Sequence, residues 1–317
     1  NLLVVEAYRE IAGFFNWGGA AILTVVMVLV AAFFFWLQHL FTKNRNYGSV
    51  SGKPKQQKLI ENKLLTRVLS GYSFFVVLIP LLAMLSVALQ SVATTWGKDL
   101  LPNGYTLNHY KTIFSTSMGN IQNSIMLATG ALILSVIIAT FVSYFVVRQN
   151  SSKLDFMASI PLVVPGIAFG IAMIQTFNTA PLQLTGTALL LIIAYTIRRL
   201  PYMVRSTMGA MRAIKQDIEE AAINLGATPF TAAITIIGPL MLPGIAAGSI
   251  LVFITVIKEA SVSILLAPPE WAPMSLAIFQ NILRAEYYSA AAMSIVLIVL
   301  VLLLQGVANF LSRKQQL

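Results

Sequence analysis

The sequence has few of the side chains that perform chemistry. It contains no cysteine, two histidines and only 11 acidic residues among 317. Disulfides, thiolate-bound zinc and thiol nucleophiles are therefore excluded, and little material is left for a catalytic or metal-binding cluster. Charged residues make up 10% of the chain and hydrophobic residues 57%, against roughly 25% charged residues in an average soluble domain. This composition excludes a disordered chain and disfavours a water-soluble one.

The sequence is instead rich in long apolar runs. A helix needs about 20 mostly apolar residues to cross a bilayer core about 30 Å thick. Seven runs meet or approach that length, at 17–41, 68–92, 123–147, 158–177, 186–197, 234–257 and 287–310. The fifth is the weakest because it ends early, at Arg198. The pattern predicts an all-α, multi-pass membrane protein with no ionisable residue inside a span, and with His39 and His109 at the membrane boundaries.

The basic residues indicate an orientation for these spans. If the basic segment 43–67 is cytoplasmic, strict alternation places most of the 21 Lys and Arg residues on the inside. The residues left outside are Arg9, Lys98, Lys111, Lys258 and Arg284. Such an asymmetry follows the positive-inside rule and puts the C-terminus in the cytoplasm. The formal net charge of +10 is thus explained by topology, without a nucleic-acid partner.

The two ends of the chain resemble each other. Residues 6–43 align without gaps on residues 277–314, an offset of 271 that pairs Tyr8 with Phe279. A fixed offset of this kind indicates a tandem repeat, with chance similarity of two membrane helices as the alternative. We expect a longer polypeptide that ends with three parts: 1–43, the last span of a preceding repeat; 44–63, a basic cytoplasmic linker; and 64–317, a complete six-span domain.

A short amphipathic segment lies in the cytoplasmic loop after the fifth span. Asp217 is placed to cap a helix, and Glu220 can complete a capping box three residues later. Gly226 can adopt the left-handed conformation that ends a helix, and Pro229 prevents its resumption. The apolar face of this predicted helix, about 217–226, contains Ile218, Ala221, Ala222 and Leu225. A helix so short needs a covering surface, which is either another protein or its own chain and the lipid headgroups.

These residues resemble a known motif. Glu220-Ala221-Ala222, followed by Gly226 and Pro239, is similar to the EAA loop of the permease subunits of binding-protein-dependent ABC importers, although Gly238 replaces that family's leucine. The resemblance implies a six-helix type I importer permease core plus one additional N-terminal helix. It further implies a coupling helix seated on a separate cytoplasmic ATPase that binds ATP and Mg²⁺, with no cofactor or metal in this chain. The coupling residues would be Asp217, Glu220, Ala221, Ala222, Leu225 and Gly226.

The resemblance also implies the other partners and the location. A second permease half is expected in the same polypeptide, and a periplasmic or lipoprotein solute-binding protein at the outer face of the bacterial inner membrane. The loop 258–271 is similar to that of the tandem ferric-iron permeases, and its Lys258 and Glu259 are candidates for contact with an outer-face partner. Ferric iron is therefore the expected solute. A small anion, such as a phosphonate or a hexose phosphate, is the alternative, and the chain is a transport subunit rather than an enzyme.

Two spans contain helix-breaking residues. Pro165 and Gly166 interrupt the fourth span, and Pro239 and Pro243 interrupt the sixth. Each proline removes a backbone donor and leaves a carbonyl that protein or cavity water must satisfy. These residues, with Gln175, Thr176 and Asn178, are candidates for the translocation path, although Gly and Pro are also common in ordinary membrane helices. The lack of ionisable residues inside spans disfavours an ion-gradient-driven carrier, and no catalytic constellation supports an intramembrane enzyme.

Overall fold

The fold is described from a computed structural model of the chain, which describes residues 2–42 and 63–314. These residues form helices and contain no strand, so the predicted all-α class is confirmed. The expected linker, 44–63, lies almost entirely outside the described residues, as does the side chain of His39.

The α-helices follow one another with mostly short connections. In chain order they are α1 Leu3–Ala12, α2 Trp17–Thr42, α3 Lys63–Val92, α4 Asn108–Thr116, α5 Met118–Arg148, α6 Ser152–Ser159, α7 Gly166–Phe177, α8 Ala188–Ala213, α9 Gln216–Asn224, α10 Pro229–Ala232, α11 Gly238–Ile257, α12 Ser263–Leu266, α13 Met274–Leu283 and α14 Tyr287–Lys314. Short 3-10 turns lie at Ile160–Leu162 and Pro269–Trp271, and a wider π turn at Ala233–Ile237 joins α10 to α11.

Five of the described helices are long and apolar enough to cross a membrane. They are α2, α3, α5, the continuous segment Pro229–Ile257, and α14. The predicted fourth span, 158–177, is not straight: Ser152–Leu162 and Gly166–Phe177 meet at an angle of 104°. Pro165 has extended backbone angles (φ −57°, ψ 143°) at this break, and its ring cannot donate to the preceding turn. This pair is one broken span or a re-entrant loop.

The predicted fifth span proved to be part of a longer helix. The run 186–197 forms the first half of α8, whose 26 residues give a length of about 39 Å. Arg198 and Arg199 lie in its middle, where only 14% and 16% of their side chains are exposed. The two arginines therefore lie within a helix and not in a loop as predicted. Both arginines lower the mean hydropathy of α8, although their side chains are largely buried.

The main core lies where α8 packs between α5 and α11. Small residues permit the close approach: Gly130 of α5 faces Ile192, while Gly244 of α11 faces Ala210 and Gly248 faces Met203. Large apolar side chains fill the space between these contacts, with Leu190, Leu191, Met203, Met208 and Val252 all at most 1% exposed. Close packing of this kind is typical of membrane helices, which associate through van der Waals contact rather than through exclusion of water.

The helical hairpin at the N-terminus resembles the one at the C-terminus. Helices α1 and α13 each have 10 residues, and α13 begins 271 residues after α1. The rings of Tyr8 and Phe279, which are equivalent in this alignment, pack edge to face with centroids 5.9 Å apart. Contact between equivalent residues is what a two-fold axis between two repeats would produce. The N-terminal hairpin also packs on α7, through Ala7 and Ile11 against Ile167.

We predict that Gly244→Ala destabilises the packing of α8 on α11. A β-carbon on Gly244 would lie 2.4 Å from the β-carbon of Ala210 and 3.0 Å from the carbonyl oxygen of Ser206. Overpacking of this kind costs about 1–3 kcal/mol, which should lower the midpoint of thermal unfolding in detergent. Gly209→Ala on α8 is the matched control, since its β-carbon would meet nothing within 4 Å. Equal midpoints for the two variants would contradict the prediction.

Candidate functional site

The short cytoplasmic helix is present, but its start differs from the prediction. Helix α9 spans Gln216–Asn224 with Lys215 as the N-cap, in extended conformation and without a side-chain cap. Asp217 therefore lies in the first turn, where its charge interacts favourably with the helix dipole, and is not the N-cap. Glu220 accepts a hydrogen bond from Nε2 of Gln216 at 3.0 Å and does not close a capping box. The predicted box was wrong because the helix begins two residues earlier, with Lys215 in the cap conformation.

The end of α9 has the geometry that glycine permits. Gly226 has a φ of +98°, the left-handed conformation predicted for it. Its N–H donates to the carbonyl of Ile223 at 2.9 Å, and the N–H of Ala227 donates to that of Ala222 at 3.1 Å. This pair of bonds is the Schellman arrangement. Pro229 does more than end the helix, because it begins α10, whose N-cap Thr228 accepts from the N–H of Thr231.

Helix α9 has one buried side and one free side. Glu219 and Ala222 are buried, at 6% and 7% exposure, against the helix's own chain. Ala222, which the resemblance implied as a coupling residue, is therefore covered by its own chain, whereas Ala221 is exposed. The free side carries Asp217, Ile218, Glu220, Ala221 and Leu225, and continues to Phe230. Leu225 is 90% exposed and Phe230 69%.

A buried ion pair fixes α9 to the end of α5. Oε2 of Glu219 accepts from Nε of Arg148 at 2.9 Å, and Oε1 accepts from the hydroxyl of Tyr144 at 2.6 Å. The Arg148 guanidinium also donates to the carbonyl of Ile214 at 3.3 Å. Only 11% of the Arg148 side chain and 8% of the Glu219 side chain are exposed. The roles of Arg148, Tyr144 and Glu219 were not predicted from the sequence. The available signal for burial of Glu219 was that it lies three positions before Ala222, on the same helical face.

The first pair of helix breakers lies against the middle of α8. The break at Pro165 leaves the carbonyl of Val164 free, and Nη1 of Arg198 donates to it at 3.2 Å. Gly166 allows this approach, since a β-carbon there would lie 2.4 Å from that of Ser261 and 3.3 Å from Cζ of Arg198. Protein thus satisfies the carbonyl, as such a break requires.

The remaining path candidates do not gather with this pair. Gln175, Thr176 and Asn178 are exposed at the far end of α7. Pro239 and Pro243 are exposed near the start of α11, beside Gly244, which faces Ala210 of α8. Ala210 is twelve residues beyond Arg198 on α8, about 18 Å along the helix axis. The candidates therefore occupy three separate positions.

The outer loop is folded inward, contrary to the prediction for Glu259. The Glu259 side chain is 3% exposed, and its Oε2 contacts Arg199 Nη2 and lies 3.6 Å from Arg198 Nε. Ser275 of α13 covers the same residue by donating to its carbonyl at 2.7 Å. Glu259 cannot contact an outer-face partner, because its charge is used to pair with α8. Lys258 beside it is exposed.

The structure gathers no metal site in the ranges that it describes. Within residues 2–42 and 63–314, no three His, Asp or Glu side chains are arranged so that they could hold a metal ion. His109 instead lies 3.0 Å, through Nε2, from the carbonyl of Ala93 and stacks on the ring of Tyr288.

The sequence matches a family of membrane transport components. The family described as "Binding-protein-dependent transport system inner membrane component" matches residues 151–316, just over half of the chain. The chain belongs to this family, which confirms the resemblance found in the EAA-like segment.

The relatives of this chain include components of ferric and of 2-aminoethylphosphonate transport systems. The ferric transport system permease protein FbpB of Actinobacillus pleuropneumoniae is 25% identical over 313 residues, which are 95% of this chain and 45% of the relative. A putative 2-aminoethylphosphonate transport system permease protein, PhnV of Salmonella choleraesuis, is 25% identical over 239 residues, or 73% of this chain and 90% of the relative. The chain thus spans about half the length of the ferric transport relatives.

Solved structures show the same fold. A bacterial alginate ABC transporter has a chain with a TM-score of 0.61 and 16% identity, covering 79% of this chain and 94% of its own. The MetNI methionine ABC transporter has one with a TM-score of 0.51 and 17% identity, covering 65% and 97%. At these identities the likeness establishes the fold, which is that of an ABC importer permease.

We predict that Glu219→Ala loosens α9, whereas Glu220→Ala does not. Removal of Glu219 leaves the charge of Arg148 buried without its partner, a change that costs about 3–5 kcal/mol. The exposed Glu220 makes one surface hydrogen bond, and its loss should cost at most about 0.5 kcal/mol. Hydrogen exchange of the amides of residues 216–226 measures the difference, with faster exchange expected for Glu219→Ala. Similar exchange in both variants would show that the ion pair does not hold α9.

Proposed function

We propose that this chain is the transmembrane permease component of an ATP-binding-cassette importer. It forms the solute translocation path and is coupled through α9 to a separate cytoplasmic ATPase. The observation that carries the proposal is the two-sided character of α9: one side is fixed to α5 by a buried ion pair, and the other presents apolar side chains to solvent.

The free side of α9 has the character of a docking surface. Ile218 and Leu225 of α9 are 41% and 90% exposed, and burial of a Leu or Ile side chain stabilises a complex by about 1.5–3 kcal/mol. Asp217 and Glu220 border this apolar strip with negative charge, which favours a partner with basic residues. ATP and Mg²⁺ bind to that partner, and this chain contributes transport rather than catalysis.

The remaining partners follow from the fold and the family. The pairing of Tyr8 with Phe279 supports a second permease half related to this one by a two-fold axis, within the same polypeptide. The family description supports a solute-binding protein and an inner-membrane location. The basic segment 43–67 supports a cytoplasmic position for α9 and for the C-terminus, because both lie on its side when the broken segment and α8 are each counted as one of seven alternating spans.

Ferric iron is the solute that the relatives favour. The FbpB relatives are named for ferric transport and align over 95% and 84% of this chain. A small anion is the second candidate, since PhnV relatives are named for 2-aminoethylphosphonate and an excess of buried positive charge lies on α8. An ion-gradient-driven carrier is less supported, because the chain belongs to a binding-protein-dependent family.

We predict that Glu220→Lys and Leu225→Asp each release the ATPase while the protein still inserts into membranes. Glu220→Lys reverses a charge on the docking surface, and Leu225→Asp introduces one. The loss of one buried leucine contact alone should weaken binding at least about tenfold. Leu100→Asp is the control, because Leu100 is also 90% exposed but lies in the segment between α3 and α4. Co-purification with a tagged ATPase measures the effect. Retention of the ATPase by both α9 variants would refute the docking assignment.

A further inference from the structure

Two arginines in the middle of α8 share one carboxylate. We call Arg198, Arg199 and Glu259 the arginine cluster. Oε2 of Glu259 pairs with both guanidinium groups, and the side chains are only 14%, 16% and 3% exposed, respectively. The hydroxyl groups of Ser263 and Ser275 donate to the backbone carbonyl of Glu259 and not to its carboxylate. They therefore leave the charges of the cluster unchanged.

The charges of the cluster do not balance. A guanidinium remains protonated at any physiological pH, so two positive charges face one negative charge. Asp155, on the neighbouring helix α6, does not correct this, because it pairs with Arg205 at 2.9 Å. The Tyr202 ring lies 5.9 Å from the Arg199 guanidinium and offers its π face but no formal charge. An uncompensated buried charge is strongly unfavourable, which favours a further anion at this place.

The cluster also has hydrogen-bond donors to spare. Nε of Arg198 and Nε of Arg199 are both buried and have no hydrogen-bond partner. The 3.6 Å between Arg198 Nε and Glu259 Oε2 allows charge attraction but exceeds hydrogen-bonding distance. Buried donors without acceptors are rare in native structures. A ligand that supplies acceptor oxygens and negative charge would meet both deficits.

The start of α7 adds to the positive potential. Gly166 is the first residue of this 12-residue helix, and its β-carbon position lies 3.3 Å from Cζ of Arg198. A helix N-terminus carries about half a positive charge and directs free N–H groups outward. The positive end of α7 thus lies beside the Arg198 guanidinium, where the span is broken.

We propose that the arginine cluster binds an anionic group of oxyanion type, such as a phosphate, phosphonate or carboxylate. The group accepts hydrogen bonds from the free Nε atoms and balances the second guanidinium. The inference rests on the proposed transport function in one respect, namely that the anion belongs to the solute. A bare ferric ion would be repelled by this site, so iron, if it is the cargo, crosses as a negatively charged complex.

Inorganic phosphate is the probe for the binding test. The full-length protein is purified in dodecyl maltoside, which contains no phosphate, and its thermal unfolding is followed at constant ionic strength as phosphate replaces chloride. A ligand that binds only the folded state raises the midpoint in a saturable manner. We expect this rise in the wild type and its loss in Arg199→Gln. Glu259→Gln should bind phosphate at least several-fold more tightly, because it removes the competing carboxylate.

The control separates this site from other arginines. Arg205→Gln changes an arginine on the same helix whose side chain is 52% exposed, and it should respond to phosphate like the wild type. An ion network with a structural role alone would make Glu259→Gln less stable without changing its response to phosphate. That result, an unsaturable response in the wild type, or an equal response in Arg199→Gln would overturn the proposal.

A second measurement needs no variant. Tungstate, a heavy analogue of phosphate, is added to the wild-type protein before structure determination, and its density is sought beside Arg198 and Arg199. Density in contact with either Nε atom is expected, and its absence at saturating tungstate would overturn the proposal. Phosphatidylglycerol, added in place of phosphate, distinguishes a lipid headgroup from a free anion. An Arg199-dependent stabilisation by this lipid would contradict assignment of the site to the solute.

The transport assay distinguishes failure of this proposal from failure of the proposed function. Vesicles with the complete transporter are tested for ATP-driven uptake of 2-aminoethylphosphonate and of ferric citrate. We expect Arg199→Gln to lose at least tenfold in uptake while it still co-purifies with the ATPase. Unchanged uptake in that variant would refute the assignment of the anion to the solute. A wild-type protein that does not bind the ATPase would instead refute the proposed function. The phosphate titration would then still test whether the arginine cluster binds an anion.

Discussion

The close packing of α8 between α5 and α11 is the constraint on which the rest of the structure depends. Glycines on both neighbours face α8, so the helix is surrounded over most of its length by backbone and apolar side chains. This environment explains why Arg198 and Arg199 are paired rather than solvated, since the surrounding apolar side chains offer them no alternative partner. The same helix ends at Ala213, and α9 begins three residues later at Gln216.

Sequence analysis predicted the features that depend on local signals. Long apolar runs identified α2, α3, α5, α11 and α14, because a membrane-length helix must be apolar over most of its surface. The left-handed turn at Gly226 was also predictable, since glycine adopts positive φ at low cost. The EAA-like segment indicated the right short helix and the right family.

The features that were missed depend on contacts between residues distant in sequence. Hydropathy treats Arg198 as though it faced lipid, but its partner Glu259 follows sixty-one positions later and lies outside any span in the sequence pattern. The burial of Glu219 was missed for the same reason, because its partner Arg148 belongs to α5, four helices earlier in the chain. A charged residue is compatible with burial when its counter-charge is fixed opposite it, and periodicity within one segment does not contain that information.

The Glu219–Arg148 ion pair and the arginine cluster together indicate how a movement of α9 is transmitted to the broken span, 152–177. Helix α9 is joined to α8 by the chain and to α5 by Glu219 and Arg148, whose guanidinium also holds the carbonyl of Ile214 between α8 and α9. Because α5 and α8 are tightly packed, a displacement of α9 should move them together rather than bend one of them. The broken span is held to α8 by polar contacts from two further arginines: Arg198 donates to the carbonyl of Val164, and Arg205 pairs with Asp155 and donates to Ser159. A movement of the rigid pair is therefore transmitted to the broken span through arginines of α8, and Arg198, one of these arginines, belongs to the arginine cluster.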